Sequence, residues 1–253
     1  IENPQAFLSQ KAIERRAKFH IAITEQDVPV NHQYIKTIED CGAIFCNNSK
    51  WFNSAIFYLP ANTQYEFITK LPFVSKVEYV APLQKYTPDT IKLDTIISIG
   101  SVDFSMITKE AEKSEGDYTP FLNYGQSLQQ NYQLGVIQSH YLNHMGQGMT
   151  IAVIDAGFLH VDSCHVFQKI INDGRLLFTR DVTGTAACLD TTVDIFAEGT
   201  HGTMVLSLIG GFAPNELIGT APQANFILLK SEESATEYRV EEDNWVAAAE
   251  VAD

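Results

Sequence analysis

The strongest constraint on the fold is a near-continuous apolar run over residues 149–154, which follows Gly148 and ends at Asp155. Such a run fits a strand buried on both faces, as in a parallel sheet covered by helices. Residues 225–229 have the same quality. Between the two, residues 202–209 put Val205, Leu208 and Ile209 on one side at helical spacing, with Thr200 as a plausible N-cap. From Glu242 onward, Trp245, Ala248, Ala249 and Ala252 recur at helical spacing, and the sequence stops inside that helix. The partners of its apolar face are therefore expected from residues after Asp253. An α/β class follows, with a parallel sheet, incomplete here, that has helices on both faces.

The first part of the chain has shorter, more varied elements. Residues 19–23 alternate as a strand does, residues 33–41 read as a helix, residues 43–46 begin a short strand, and residues 53–59 alternate as a half-buried strand. Residues 64–71 place Phe67, Ile68 and Leu71 on one face of a second helix, and residues 77–80 read as a closing strand. Two helices on one face of a small antiparallel sheet would bury these stripes. From Pro82 to about Asn123 the pattern loosens, punctuated by Pro88, Gly100, Gly116 and Pro120. This reads as a linker or exposed insert, in which residues 96–99 and 102–106 can pair as a hairpin.

Composition removes several classes of function. A formal net charge of −14 opposes wrapping around nucleic acid or an anionic membrane surface, both of which need basic patches. No stretch approaches the roughly 18 apolar residues of a membrane span, and no signal segment opens the chain. The first residue is Ile1, not Met, so removal of an upstream segment is expected. Four cysteines are too few for a disulfide scaffold, and none forms a C-x-x-C pair of the zinc-binding kind. Local bridges Cys41–Cys46 and Cys164–Cys188 are possible in an oxidising compartment, with free buried thiols as the alternative.

Two residues carry the chemistry. Asp155 stands at the carboxyl end of the first buried strand, where open parallel sheets bind ligands, although a capping or turn aspartate would occupy the same place. His201 lies in Gly-Thr-His-Gly-Thr-Met-Val at a helix start, among small neighbours that leave the imidazole room to face a cleft. Either alone is unremarkable, and the pair is what matters. A serine hydroxyl is a poor nucleophile, and an imidazole must take its proton and return it to the leaving amine. A buried carboxylate on the other ring nitrogen fixes the tautomer and stabilises the imidazolium.

Three segments in order resemble the subtilisin-like serine proteases. They are the Asp155 segment, His-Gly-Thr-Met-Val from His201, and Gly-Thr-Ala-Pro-Gln-Ala from Gly219 followed by Asn-Phe-Ile-Leu-Leu-Lys from Asn225. The resemblance implies that residues 124–253 are the N-terminal part of a subtilisin-like catalytic domain, with Asp155 and His201 as catalytic residues. Residues 1–87 resemble a subtilase propeptide of small α+β, ferredoxin-like form, through their element order and through Ser-Lys-Trp-Phe-Asn from Ser49 and Leu-Pro-Phe-Val from Leu71. Residues 88–123 would then be a linker or insert holding a possible maturation site. The implied protein is a secreted endopeptidase zymogen, extracellular, periplasmic or at the cell surface, whose partners are a peptide or protein substrate and its own propeptide.

The departures from the family pattern also inform. No Gly-Thr-Ser motif is present, and Ser207, Ser231 and Ser234 stand in the wrong contexts, so the nucleophile is expected in the remainder of the catalytic domain. Nine positions past Asp155, where many subtilisins place an acidic calcium ligand, stands Cys164. No cofactor is expected from these residues, although calcium remains possible. Glu232, Glu233, Glu241, Glu242 and Asp243 cluster in a stretch that borders the substrate cleft in subtilases. They imply either a preference for basic side chains or a solvated loop and an acidic helix start. His20, His32, His140, His144, His160 and His165 show no metal-ligand spacing and read as surface or packing residues. The alternative function is a catalytically inactive relative or an inhibitory folding module. A nucleotide-binding fold suits the strands, but Gly146-Gln-Gly148 precedes its strand and no phosphate loop is present.

Overall fold

The computed structural model describes residues 1–81, 122–183, 194–234 and 238–253. Apart from Leu122, these residues belong to one compact unit made of Ile1–Leu83 and Asn123–Asp253. The possible hairpin of residues 96–106 and the boundary expected at residues 87 and 88 lie outside the described residues.

Three helices and a two-stranded antiparallel hairpin make up the N-terminal segment: α1 (Gln10–Phe19), α2 (His32–Glu39), β1 (Ile44–Ser49), β2 (Ser54–Tyr58) and the single turn α3 (Tyr65–Ile68). Ser9 caps α1 by accepting the Ala12 N–H at 3.1 Å, and His20 ends it in the left-handed conformation. The strand expected over residues 19–23 is therefore absent, because its first residue closes a helix whose burial of Ala12 and Arg16 outweighs the local alternation. Residues 77–80 form no strand either. The sheet of this segment thus has two strands, short of a ferredoxin-like arrangement among the described residues. Its core is small: Cys41, Ala43 and Ile68, with Ile38 and Phe57 packed alongside. Ile68 is buried as expected, but Phe67 is turned to solvent because the helix is a single turn.

The C-terminal part begins with α4 (Leu128–Gln133) and α5 (Val136–Tyr141). A three-stranded parallel sheet follows, built from β3 (Thr150–Asp155), β4 (Leu176–Asp181) and β7 (Asn225–Lys230) in the order β3-β7-β4. Between these strands lie α6 (Gln168–Asn172), α7 (Thr200–Gly210) and the small antiparallel pair β5 (Phe212–Ala213) and β6 (Leu217–Ile218). The last element is α8 (Val240–Ala252).

The alternation of β7 explains how the sheet is covered. Phe226 and Leu228 join Val153, Phe158, Phe167, Ile170 and Leu206 in the main core beneath α7, whereas Leu229 packs with Val182 and Ala248 of α8 on the opposite face. β7 is the central strand and is buried nearly throughout, but β3 is only half-buried and Met149 is exposed. Helix α7 buries Gly202, Leu206 and Gly210, spaced four apart; of the expected stripe, Val205 and Ile209 are partly buried against the main core, whereas Leu208 is exposed. A Cβ on Gly210 would stand 2.5 Å from the Phe226 ring, so the small residues let the helix approach the sheet closely. Gly199, not Thr200, takes the N-cap position of α7. In α8 the buried positions are Asn244, Ala247 and Ala248, and Trp245 is 51% exposed.

Candidate active site

Strands β3, β7 and β4 end together, and their register aligns Asp155, Lys230 and Asp181 along the carboxyl edge of the sheet. Asp155 is buried, and its Oδ1 accepts the Ala156 N–H at 2.8 Å. The main chain is pinned too, since the Asp155 carbonyl accepts from Ser231 N–H at 3.0 Å. This carboxylate is aimed at the start of α7.

His201 comes to it from the first turn of α7. Its Nδ1–H donates to the Asp155 carboxylate, 2.9 Å from Oδ2 and 3.0 Å from Oδ1. The loops that carry the two residues lie backbone against backbone. Gly157 (φ 137°) and Gly199 (φ 77°) approach so closely that a Cβ on Gly199 would stand 2.4 Å from the Gly157 Cα. Phe158 N–H donates to Ile195 O at 2.8 Å and Leu159 N–H to Gly199 O at 3.1 Å, which ties the loops together. The His201 side chain is 71% exposed while that of Asp155 is 9% exposed, so the carboxylate is the fixed member and the ring faces outward. Chemically, this geometry holds one imidazole tautomer and leaves the other ring nitrogen as a proton acceptor.

Lys230, in the same row, was not marked by sequence reasoning. Its ammonium is almost completely buried and pairs with Glu233 at 3.0 Å, Asp181 at 3.5 Å and Glu198. Burial alone would lower the Lys230 pKa, but the Glu198 hydrogen bond and the charges of Asp181 and Glu233 outweigh it and hold the amine above its usual value. A lone lysine closing an apolar strand reads as the strand's exit to solvent, so no local signal marked it.

The acidic cluster separates into parts. Glu233 turns inward to Lys230, Glu232 is exposed after β7, and Glu241 and Glu242 stand in the first turn of α8, where the helix dipole favours carboxylates. Burial and the neighbouring Glu242 raise the Asp243 pKa. Cys41 and Cys164 are free thiols, so neither local bridge forms. Cys41 is held in the small core and its Sγ donates to Thr37 O at 3.3 Å. Cys164 packs against the main core beside Phe167. Among the described residues, no group of His, Cys, Asp and Glu is arranged to hold a metal ion, and no helix is long and apolar enough to cross a membrane.

A second cluster joins the N-terminal segment to α8. Glu250 accepts from Ser49 Oγ at 2.6 Å and from the Lys50 and Trp51 N–H groups at 3.0 Å each, so one carboxylate holds the turn between β1 and β2. Arg15 and Arg16 both pair with Asp253, buried Arg16 also pairs with Asp27 at 2.7 Å, and Asn47 donates to Val182 O at 3.2 Å.

Residues 1–93 match the family model of the peptidase S8 propeptide domain of Bacteroidota. The match supports a subtilisin-like (S8) protease precursor that carries its propeptide. No curated protein and no solved structure matches the chain.

Proposed function

We propose that this chain is the N-terminal portion of a secreted serine endopeptidase zymogen, with residues 1–87 as propeptide, residues 88–123 as a linker holding the maturation site, and residues 124–253 opening a subtilisin-like catalytic domain. Asp155 orients His201, and His201 deprotonates a serine supplied from further along the polypeptide, then returns the proton to the leaving amine. The observation that carries the reading is the 2.9 Å contact between Asp155 and His201 at the carboxyl edge of a parallel sheet, in a chain whose residues 1–93 match the S8 propeptide family model.

The propeptide acts as inhibitor and folding aid, docked on α8 through Glu250 and Asp253, until it is cut away. Glu232, Glu241 and Glu242 favour basic side chains in the substrate, and Glu233 serves Lys230. The test is to treat the full-length protein, after propeptide removal, with a serine-directed phosphonate and a peptide library. Covalent labelling that is lost in His201→Ala is expected. Neither labelling nor peptide hydrolysis in the wild type would replace this reading by that of an inactive relative or inhibitory module.

A further inference from the structure

Lys230 stands where a neutral residue would satisfy the sheet equally well. A buried ion pair is weak ground for stability, because well-packed apolar residues often replace one at no loss. Here one buried cation serves three carboxylates, and these come from three separate stretches of chain: the end of β4 (Asp181), the loop three residues before His201 (Glu198), and the segment after β7 (Glu233). Register pairing sets Lys230 directly beside Asp155, with adjacent strands about 5 Å apart. Both residues fall on the α7 face, in step with Val153, Phe226 and Leu228. The lysine is thus the common anchor of the stretches that surround the pair.

We propose that Lys230 is a positioning residue for the Asp155–His201 pair. By holding Glu198 it fixes the loop that delivers His201, and by its charge it offsets the carboxylates crowded on this edge. The role rests on the endopeptidase reading above. Among the described residues, the ion-paired groups along this edge are Asp155 from β3, Glu198 from the loop before α7, Lys230 and Glu233 from β7 and its continuation, and Asp181 from β4. His165 and Glu216, beside the far end of α7, pair with each other at 2.9 Å.

Two readouts separate this role from a merely structural one: which kinetic constant moves, and whether arginine restores it. In the activated full-length protein, kcat should fall about tenfold in Lys230→Met and in Glu198→Gln, and recover in Lys230→Arg, which keeps the charge. KM should change little in all three. Glu198 is partly exposed, so Glu198→Gln decides the matter if Lys230→Met does not fold. Folded Lys230→Met and Glu198→Gln variants whose kcat equals the wild type's would overturn the positioning role alone. A wild type that neither hydrolyses peptides nor takes the phosphonate label would remove the endopeptidase reading, and this inference with it.

Discussion

The stretches on either side of residues 82–121 are built on different scales. In residues 122–253 a parallel sheet is covered on both faces, and its main core runs from Val153 through Phe226 to Leu206. In residues 1–81 the core is Cys41, Ala43 and Ile68 under a two-stranded hairpin, and an isolated hairpin is marginal in water. What the N-terminal segment lacks in core it gains from outside, since β1 packs on α8 and the Glu250 carboxylate satisfies the turn after it. The contrast agrees with the propeptide role proposed above: β1 and its turn are held by contacts to α8, while the C-terminal stretch carries its own core.

Four outcomes would sharpen or break that contrast. The largest is catalytic, since Asp155→Asn should lower kcat by about 10⁴ while leaving the propeptide contacts intact, read by peptide hydrolysis beside intact-mass analysis of the precursor. Next, Phe226→Ala should cost about 3–5 kcal/mol and speed hydrogen exchange in both stretches, whereas Ile68→Ala should speed it in β1 and spare β7. If Ile68→Ala also loosened β7, the two stretches would be one cooperative unit and the contrast would fail. Glu250→Gln removes a charged acceptor, so the Lys50 and Trp51 amides should exchange about 10- to 100-fold faster with the Phe226 amide unaffected.

The smallest effect concerns pH. Burial lowers the His140 pKa against the opposing hydrogen bond to the Thr220 carbonyl, while its Nδ1 accepts from Tyr124 Oη at 2.8 Å. The unfolded chain therefore takes up this proton first. His140 contributes its full stability above the ordinary histidine value and loses it as pH falls through the depressed folded value. Denaturant midpoints measured from pH 7 downward should decline, and His140→Gln should flatten the part of that decline confined to the C-terminal stretch.

Much of the C-terminal stretch was legible locally. The runs at residues 149–154 and 225–229 became β3 and β7, and the contexts of Asp155 and His201 marked them for one site, because burial patterning and strand-end position are local properties. β4 was not legible, since Leu176–Asp181 is bounded by turns and mixes apolar with charged residues, and its partner is a strand supplied much later in the chain. In the N-terminal segment, alternation at residues 19–23 misled because Phe19 and His20 complete α1, and among the described residues the sheet of this segment holds only β1 and β2.

The order of residues by itself determined which segments are apolar enough to be buried, where a carboxylate leaves a buried strand, and where an imidazole opens a helix. Only the tertiary structure decided that the two meet at 2.9 Å, that Lys230 falls beside them, and that Glu250 closes a turn 200 residues earlier in the chain. The reason is that periodicity reports which face of an element avoids water, whereas hydrogen bonds between distant side chains depend on strand register and on how closely helices approach. Here those were set by parallel pairing along β7 and by glycines at Gly157, Gly199 and Gly202 that let backbones touch.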